Sequence, residues 1–246
     1  MSDVQAFYRE MNNTFKVPES LWDNIPKVSE NAAVIFEPRV HPNLPFTLRN
    51  HMYYLAPYNF SLTIFHSKEN ERQVKEITGD RPNINFICFC EGNSTRDIYN
   101  DTLKTVEFYE SIPCNRMLIF QTDSWLRNFG IDKFFDYGYI GAPHDNREGA
   151  TMNGGLSLRN KQVCIDIIKK YNNKDAHQWE DSFFSYGCLL FFPELFPKLD
   201  SAKQFSSCWQ FDERSIGVHQ FWDCVVDPVK RKTLMTLHSY TFEVNS

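Results

Sequence analysis

The sequence predicts a single α/β domain built on a mainly parallel sheet flanked by helices. Three observations carry that prediction. Four short apolar runs recur within residues 32–120, amphipathic stretches separate them, and no linker divides the 246-residue chain. Run 32–36 (AAVIF) is apolar throughout, as a strand buried on both faces must be. Residues 43–55 carry Leu44, Leu48, Met52 and Leu55 at helical spacing. Run 61–65 (SLTIF) is the second strand, and 68–77 a polar helix. Run 84–90 (INFICFC) is the third strand, and 99–111 a helix with Tyr99, Leu103 and Val106 on one side. Run 117–120 (MLIF) is the fourth strand. Strands alternating with helices imply crossover connections, hence parallel pairing with helices on both faces. Such sheets bind ligands beyond the carboxyl ends of their strands.

The second half is less regular. Residues 139–141 and 155–158 read as short strands, 161–171 as a helix with Val163, Ile167 and Ile168 inward, and 179–186 as the start of another helix. Residues 1–30, polar and punctuated by Pro18 and Pro26, read as an irregular N-terminal arm, which leaves 31–246 as the folded domain.

Composition bounds the function. The chain is 42% apolar and 23% charged, ordinary for a globular protein, and its 22 Phe predict a ring-rich core. A net charge of −5 with scattered basic residues argues against nucleic acid as a partner, though a few placed cations suffice for one diphosphate. Seven irregularly spaced Cys without a CxxC pair argue against structural zinc and for buried free thiols in a reducing compartment. The N-terminus has no apolar signal region and no run is long enough to span a bilayer, so a cytoplasmic location without a membrane span is expected.

Four motifs bear chemistry. The fourth strand runs into Gln121-Thr122-Asp123-Ser124, placing a carboxylate where a parallel sheet binds ligands. Asp oxygens suit Mg²⁺ or Mn²⁺, which can bridge a diphosphate, although Asp123 could equally cap the following turn. Gly154-Gly155 permit close backbone approach to a ligand or simply form a turn, and Arg159 beyond them could meet phosphate or solvent. Glu180-Asp181 supply a candidate general base, or merely an acidic first helical turn. His219, among the aromatics of Gly217-Val218-His219-Gln220-Phe221-Trp222, could ligate a metal or sit as a core imidazole.

Taken together, AAVIFEPRVHPNLPFTLRN, LTIFHSKEN, MLIFQTDS, YIGAPHD, NGGLSLRNK, EDSFFS and GVHQFW resemble the glycosyltransferase-like family called domain of unknown function 5672, which has viral and bacterial members. The resemblance spans most of the chain after residue 30. It implies a GT-A fold, with a Rossmann-like nucleotide half at about 31–125 and an acceptor half at about 126–246. Asp123 then falls at the last acid of the Asp-x-Asp metal motif, with Gln121 replacing the first acid. His219 falls where a C-terminal His joins that metal. Asp181 falls at the catalytic base of inverting enzymes, with Glu180 beside it to hold the acceptor. Arg39, Thr122, Asp123, Ser124, Gly154 and Gly155 are the expected donor contacts. The expected activity is transfer of a hexose or pentose from a nucleotide diphosphate sugar, uridine-linked by preference, to a glycan or glycoconjugate hydroxyl. A divalent cation, Mn²⁺ or Mg²⁺, would assist. A metal-dependent sugar-nucleotide hydrolase and a non-catalytic nucleotide-sugar or carbohydrate-binding module are the alternatives, the latter favoured by Gln121.

Overall fold

A computed structural model describes residues 3–171, 178–238 and 240. Its first half runs α1 (Asp3–Thr14), α2 (Glu19–Asp23), β1 (Asn31–Phe36), α3 (Leu44–Leu55), β2 (Phe60–Ser67), α4 (Glu71–Thr78), β3 (Asn85–Cys90), α5 (Arg96–Leu103), α6 (Val106–Glu110) and β4 (Arg116–Phe120). The second half runs β5 (Ser124–Leu126), β6 (Tyr139–Pro143), β7 (Met152–Asn160), α7 (Lys161–Lys170), α8 (Glu180–Phe191), α9 (Leu199–Phe205), β8 (Ser206–Ser207), β9 (Gly217–His219) and α10 (Pro228–Leu234).

Six strands form the main sheet in the order β3-β2-β1-β4-β7-β6. The first four are parallel, and β7 runs antiparallel to both neighbours. The carboxyl ends of β1, β4 and β6 therefore share one edge of the sheet with the start of β7. Every residue of β1 and β2 is buried, which explains why these strands read as continuous apolar runs. A second sheet, β5-β9-β8, continues from the β4 end. Among the described residues, no helix is long and apolar enough to cross a membrane.

Two expectations fail, one for a long-range reason and one for a local reason. The N-terminal arm is not irregular: α1 and α2 are helices, and Val4, Phe7 and Tyr8 are buried. Phe7 and Tyr8 pack against Phe46 and Trp125, so α1 joins a second core with Val218, Phe221, Val225 and Leu234. Arg231 of α10 pairs with Asp3 of α1, Nε to Oδ2 at 2.6 Å, tying the two ends of the chain together. The single helix expected over 99–111 is two, because Thr105 is extended and its hydroxyl accepts a hydrogen bond from Phe108 N, opening a new helix. All seven cysteines are free thiols, but only Cys114, Cys164, Cys188 and Cys208 are buried.

Candidate active site

A cleft of about 680 Å³ opens at the shared edge of β1, β4, β6 and β7. Its centre is the turn after β4. Ser124 N and Oγ both donate to Gln121 O, at 3.1 and 2.7 Å, which reverses the chain from β4 into β5. The β5–β9 register sets Ser124 opposite His219, and Gln220 N donates to Asp123 O at 3.1 Å. These bonds bring together residues almost a hundred positions apart. His219 Nε2 lies 3.2 Å from Asp123 Oδ1 and 3.3 Å from Gln121 Oε1.

Burial alone would raise the Asp123 pKa, but the charge and hydrogen bond of His219 outweigh it and hold the carboxyl below its usual range. Burial alone would lower His219, yet Asp123 reverses this and pushes it up to about 10. Adjacent ligands of an octahedral ion with bonds of about 2.1 Å stand about 3.0 Å apart. The two spacings at His219 fit neighbouring positions around such an ion, with carboxylate, imidazole and amide oxygen as donors. Among the described residues, no three His, Cys, Asp or Glu side chains form a metal cluster, so any ion held here would need the Gln121 amide oxygen as a further donor. The mixed N/O set suits Mn²⁺, with one anionic ligand instead of two.

The glycine pair has a different role from the expected one. Side chains of consecutive strand residues point to opposite faces. A Cβ at Gly154 would collide with the Glu180 carboxylate, and a Cβ at Gly155 with the His219 ring and Gln121. The pair leaves room for the Glu180 and His219 side chains arriving from opposite faces of β7, and of the two glycines Gly155 lines the cleft. Ser124 is also displaced from its expected donor role: it is fully buried and its hydroxyl is spent on the turn.

The two carboxylates of α8 both reach the cleft wall but differ in exposure. Asp181 is partly exposed, with Oδ1 accepting from Ser182 N at 2.6 Å. Glu180 is buried, and its Oε2 meets Arg159 Nη1 at 2.8 Å, off the line of a well-formed hydrogen bond. Burial pushes the Glu180 pKa up against the pull of Arg159. Arg159 meets neither phosphate nor solvent: its guanidinium stacks over Tyr139 and Phe184, at 5.0 and 5.2 Å, and its Nη1 donates to Tyr109 Oη at 3.1 Å. Glu180 thus stands at the cleft wall as half of a buried ion pair that fixes the start of α8.

At the β1 end, Glu37 is buried and binds Arg39 bidentately, Oε1 to Nε and Oε2 to Nη2 both at 2.8 Å. Thr122 donates its hydroxyl to the same carboxylate at 3.3 Å, and Arg39 keeps its exposed side in the cleft. Glu37, Tyr99, His144 and Trp209 also line the cleft and were missed in the sequence. For Glu37 a signal existed, since it directly follows the first strand, two residues before Arg39.

Residues 84–219 match the family described as Protein of unknown function (DUF5672), over half of the chain. The chain belongs to that family. No curated protein matches the sequence. The structure resembles the galactosyltransferase LgtC, solved with donor and acceptor sugar analogs, at TM-score 0.50 and 10% identity, over 85% of this chain and 97% of that one. It also resembles mouse xyloside xylosyltransferase 1 in its apo form, at TM-score 0.50 and 11% identity, over 80% and 99% of the two chains. The fold of this family member is thus of the GT-A kind.

Proposed function

We propose that this protein is a glycosyltransferase that moves a sugar from a nucleotide diphosphate sugar, with a uridine nucleotide as first candidate, to a glycan or glycoconjugate hydroxyl. The observation that carries the reading is the convergence of Gln121, Asp123 and His219 in one cleft with Asp181. Arg39, held by Glu37, is aimed to grip phosphate oxygens. A divalent cation held by Asp123, His219 and Gln121 would supply charge neutralisation for the departing diphosphate. Asp181 takes the acceptor hydroxyl proton as that oxygen bonds to the anomeric carbon and the carbon–phosphate oxygen bond breaks, leaving inverted configuration. Glu180 acts through position alone.

Gln121 in place of an acid favours a second reading, a module that binds nucleotide sugars without turning them over. Hydrolysis with water as acceptor would use the same side chains. The test is product analysis with the wild type and Asp181→Asn across nucleotide sugars, with and without acceptor sugars. Loss of transfer by about 10²-fold or more with donor affinity kept supports Asp181 as base. Near wild-type transfer by Asp181→Asn rejects the assignment, and a product of retained configuration rejects inversion. Donor binding by the wild type with no turnover on any acceptor selects the module.

A further inference from the structure

The cleft contains an aromatic ring that the proposed chemistry leaves unused. Trp209 is 52% exposed, a costly setting for an indole, and lines the cleft. Its place is fixed on both sides. The preceding residue, Cys208, is buried with its sulfur 3.7 Å from His219 Nδ1, and Gln210 Oε1 accepts from Asn146 Nδ2 at 2.6 Å. The His144 ring meets Trp209 edge-to-face at 6.0 Å, and His144 Nδ1 is held by Thr151 Oγ1 at 3.0 Å. Trp209 is therefore a positioned ring rather than a loop side chain that happens to face solvent.

The sheet order gives its location relative to the chemistry. Neighbouring strands lie about 4.8 Å apart, so the three steps from β1 to β6 cover about 14 Å. Arg39 follows β1, Asp123 follows β4, Asp181 sits over β7, and His144 follows β6 with Trp209 against it. A donor gripped at Arg39 reaches Asp123 from one side. An acceptor hydroxyl must reach Asp181 from the other, which is the Trp209 side.

The surroundings select the ligand chemistry. Trp209 is an apolar platform with the His144 ring at its edge, and the Asn146–Gln210 hydrogen bond joins the segments that carry the two rings. A lipid would need a continuous apolar channel. A pyranose has one face of C–H groups and a rim of hydroxyls, and matches this surface. Trp179, also in the cleft, has one ring face covered by Arg96 at 4.1 Å and serves as a wall.

We propose that Trp209 and His144 form a saccharide subsite in which the terminal pyranose of the acceptor stacks on the indole. Calling that sugar the acceptor rests on the transferase reading, whereas the binding of a pyranose does not. Saturation-transfer NMR with the methyl glycosides of β-D-galactose, β-D-glucose, α-D-mannose and β-D-xylose, in the presence of uridine diphosphate, tests it. N-acetylserine amide serves as the non-sugar control. Saturation of the ring C–H protons of at least one pyranoside is expected. Its affinity should fall by about tenfold or more in Trp209→Ala and stay within about threefold in Trp209→Phe, the scale of one stacking contact. Circular dichroism of both variants separates loss of the subsite from loss of the fold. Absence of pyranoside binding by the wild type, equal binding by Trp209→Ala, or preference for the serine amide overturns the subsite. Failure of the wild type to turn over any nucleotide sugar would remove the transferase reading, while the pyranoside data would still decide the subsite.

Discussion

Two acid–base pairs stand on opposite faces of β7, and they behave differently. Arg159–Glu180 is sealed, with side-chain exposures of 0% and 4%, and rings pack over the guanidinium. Asp123–His219 sits at the cleft, with the Asp123 side chain 30% exposed and Gln121 as a third polar neighbour. The sealed pair is buried against its own partner and holds the start of α8. The open pair can exchange its mutual contact for a ligand. Adjacent glycines, Gly154 and Gly155, allow both pairs to approach one strand.

The largest effect is expected at Glu180. Glu180→Leu leaves the Arg159 charge buried without a counter-ion, at a cost of about 3–5 kcal/mol. At about 2–4 °C per kcal/mol for a chain of this size, the melting temperature should fall by about 6–20 °C. Adding Arg159→Met to Glu180→Leu should recover most of that loss, because an apolar pair can replace a buried ion pair. Calorimetric melting of the single and double variants checks both statements, and an unaffected single variant would show that the pair does not hold the helix.

The open pair should answer in the opposite way. Asp123→Asn is expected to shift melting by only a few degrees, while Mn²⁺ affinity falls by about tenfold or more because the anionic ligand is gone. Titration of the variant with Mn²⁺ under calorimetry reads this directly. The same pair predicts a pH slope. His219 is raised from 6.5 to about 10 when folded, so the stability it contributes is complete below pH 6.5 and lost as pH rises towards 10. Urea midpoints at pH 6 and pH 9 should differ in that sense, and His219→Gln should flatten the difference.

Much of the sheet was legible because burial on both faces writes uninterrupted apolar runs, as in AAVIF and MLIF. The turn after β4 was legible for the same reason, since polar residues follow such a run abruptly. The N-terminal helix was not. Only Val4, Phe7 and Tyr8 of α1 are buried among polar neighbours, and most of the core they join comes from distant residues such as Phe46, Trp125 and Phe221. The fates of Glu180 and Asp181 were equally hidden. Two adjacent carboxylates read alike until Arg159, on a different element, is found beneath one of them. His144 and Trp209 carried no local signal, because their shared surface exists only once the loop after β6 meets the loop after β8.

The proposed donor site depends on a cation held by Asp123, His219 and Gln121. Calorimetric titration of the wild type and Asp123→Ala with uridine diphosphate sugars, with and without Mn²⁺, tests it most directly. Tighter donor binding by the wild type when Mn²⁺ is present, and no such gain in Asp123→Ala, is the predicted result. Donor binding that is indifferent to Mn²⁺ in both proteins would contradict it.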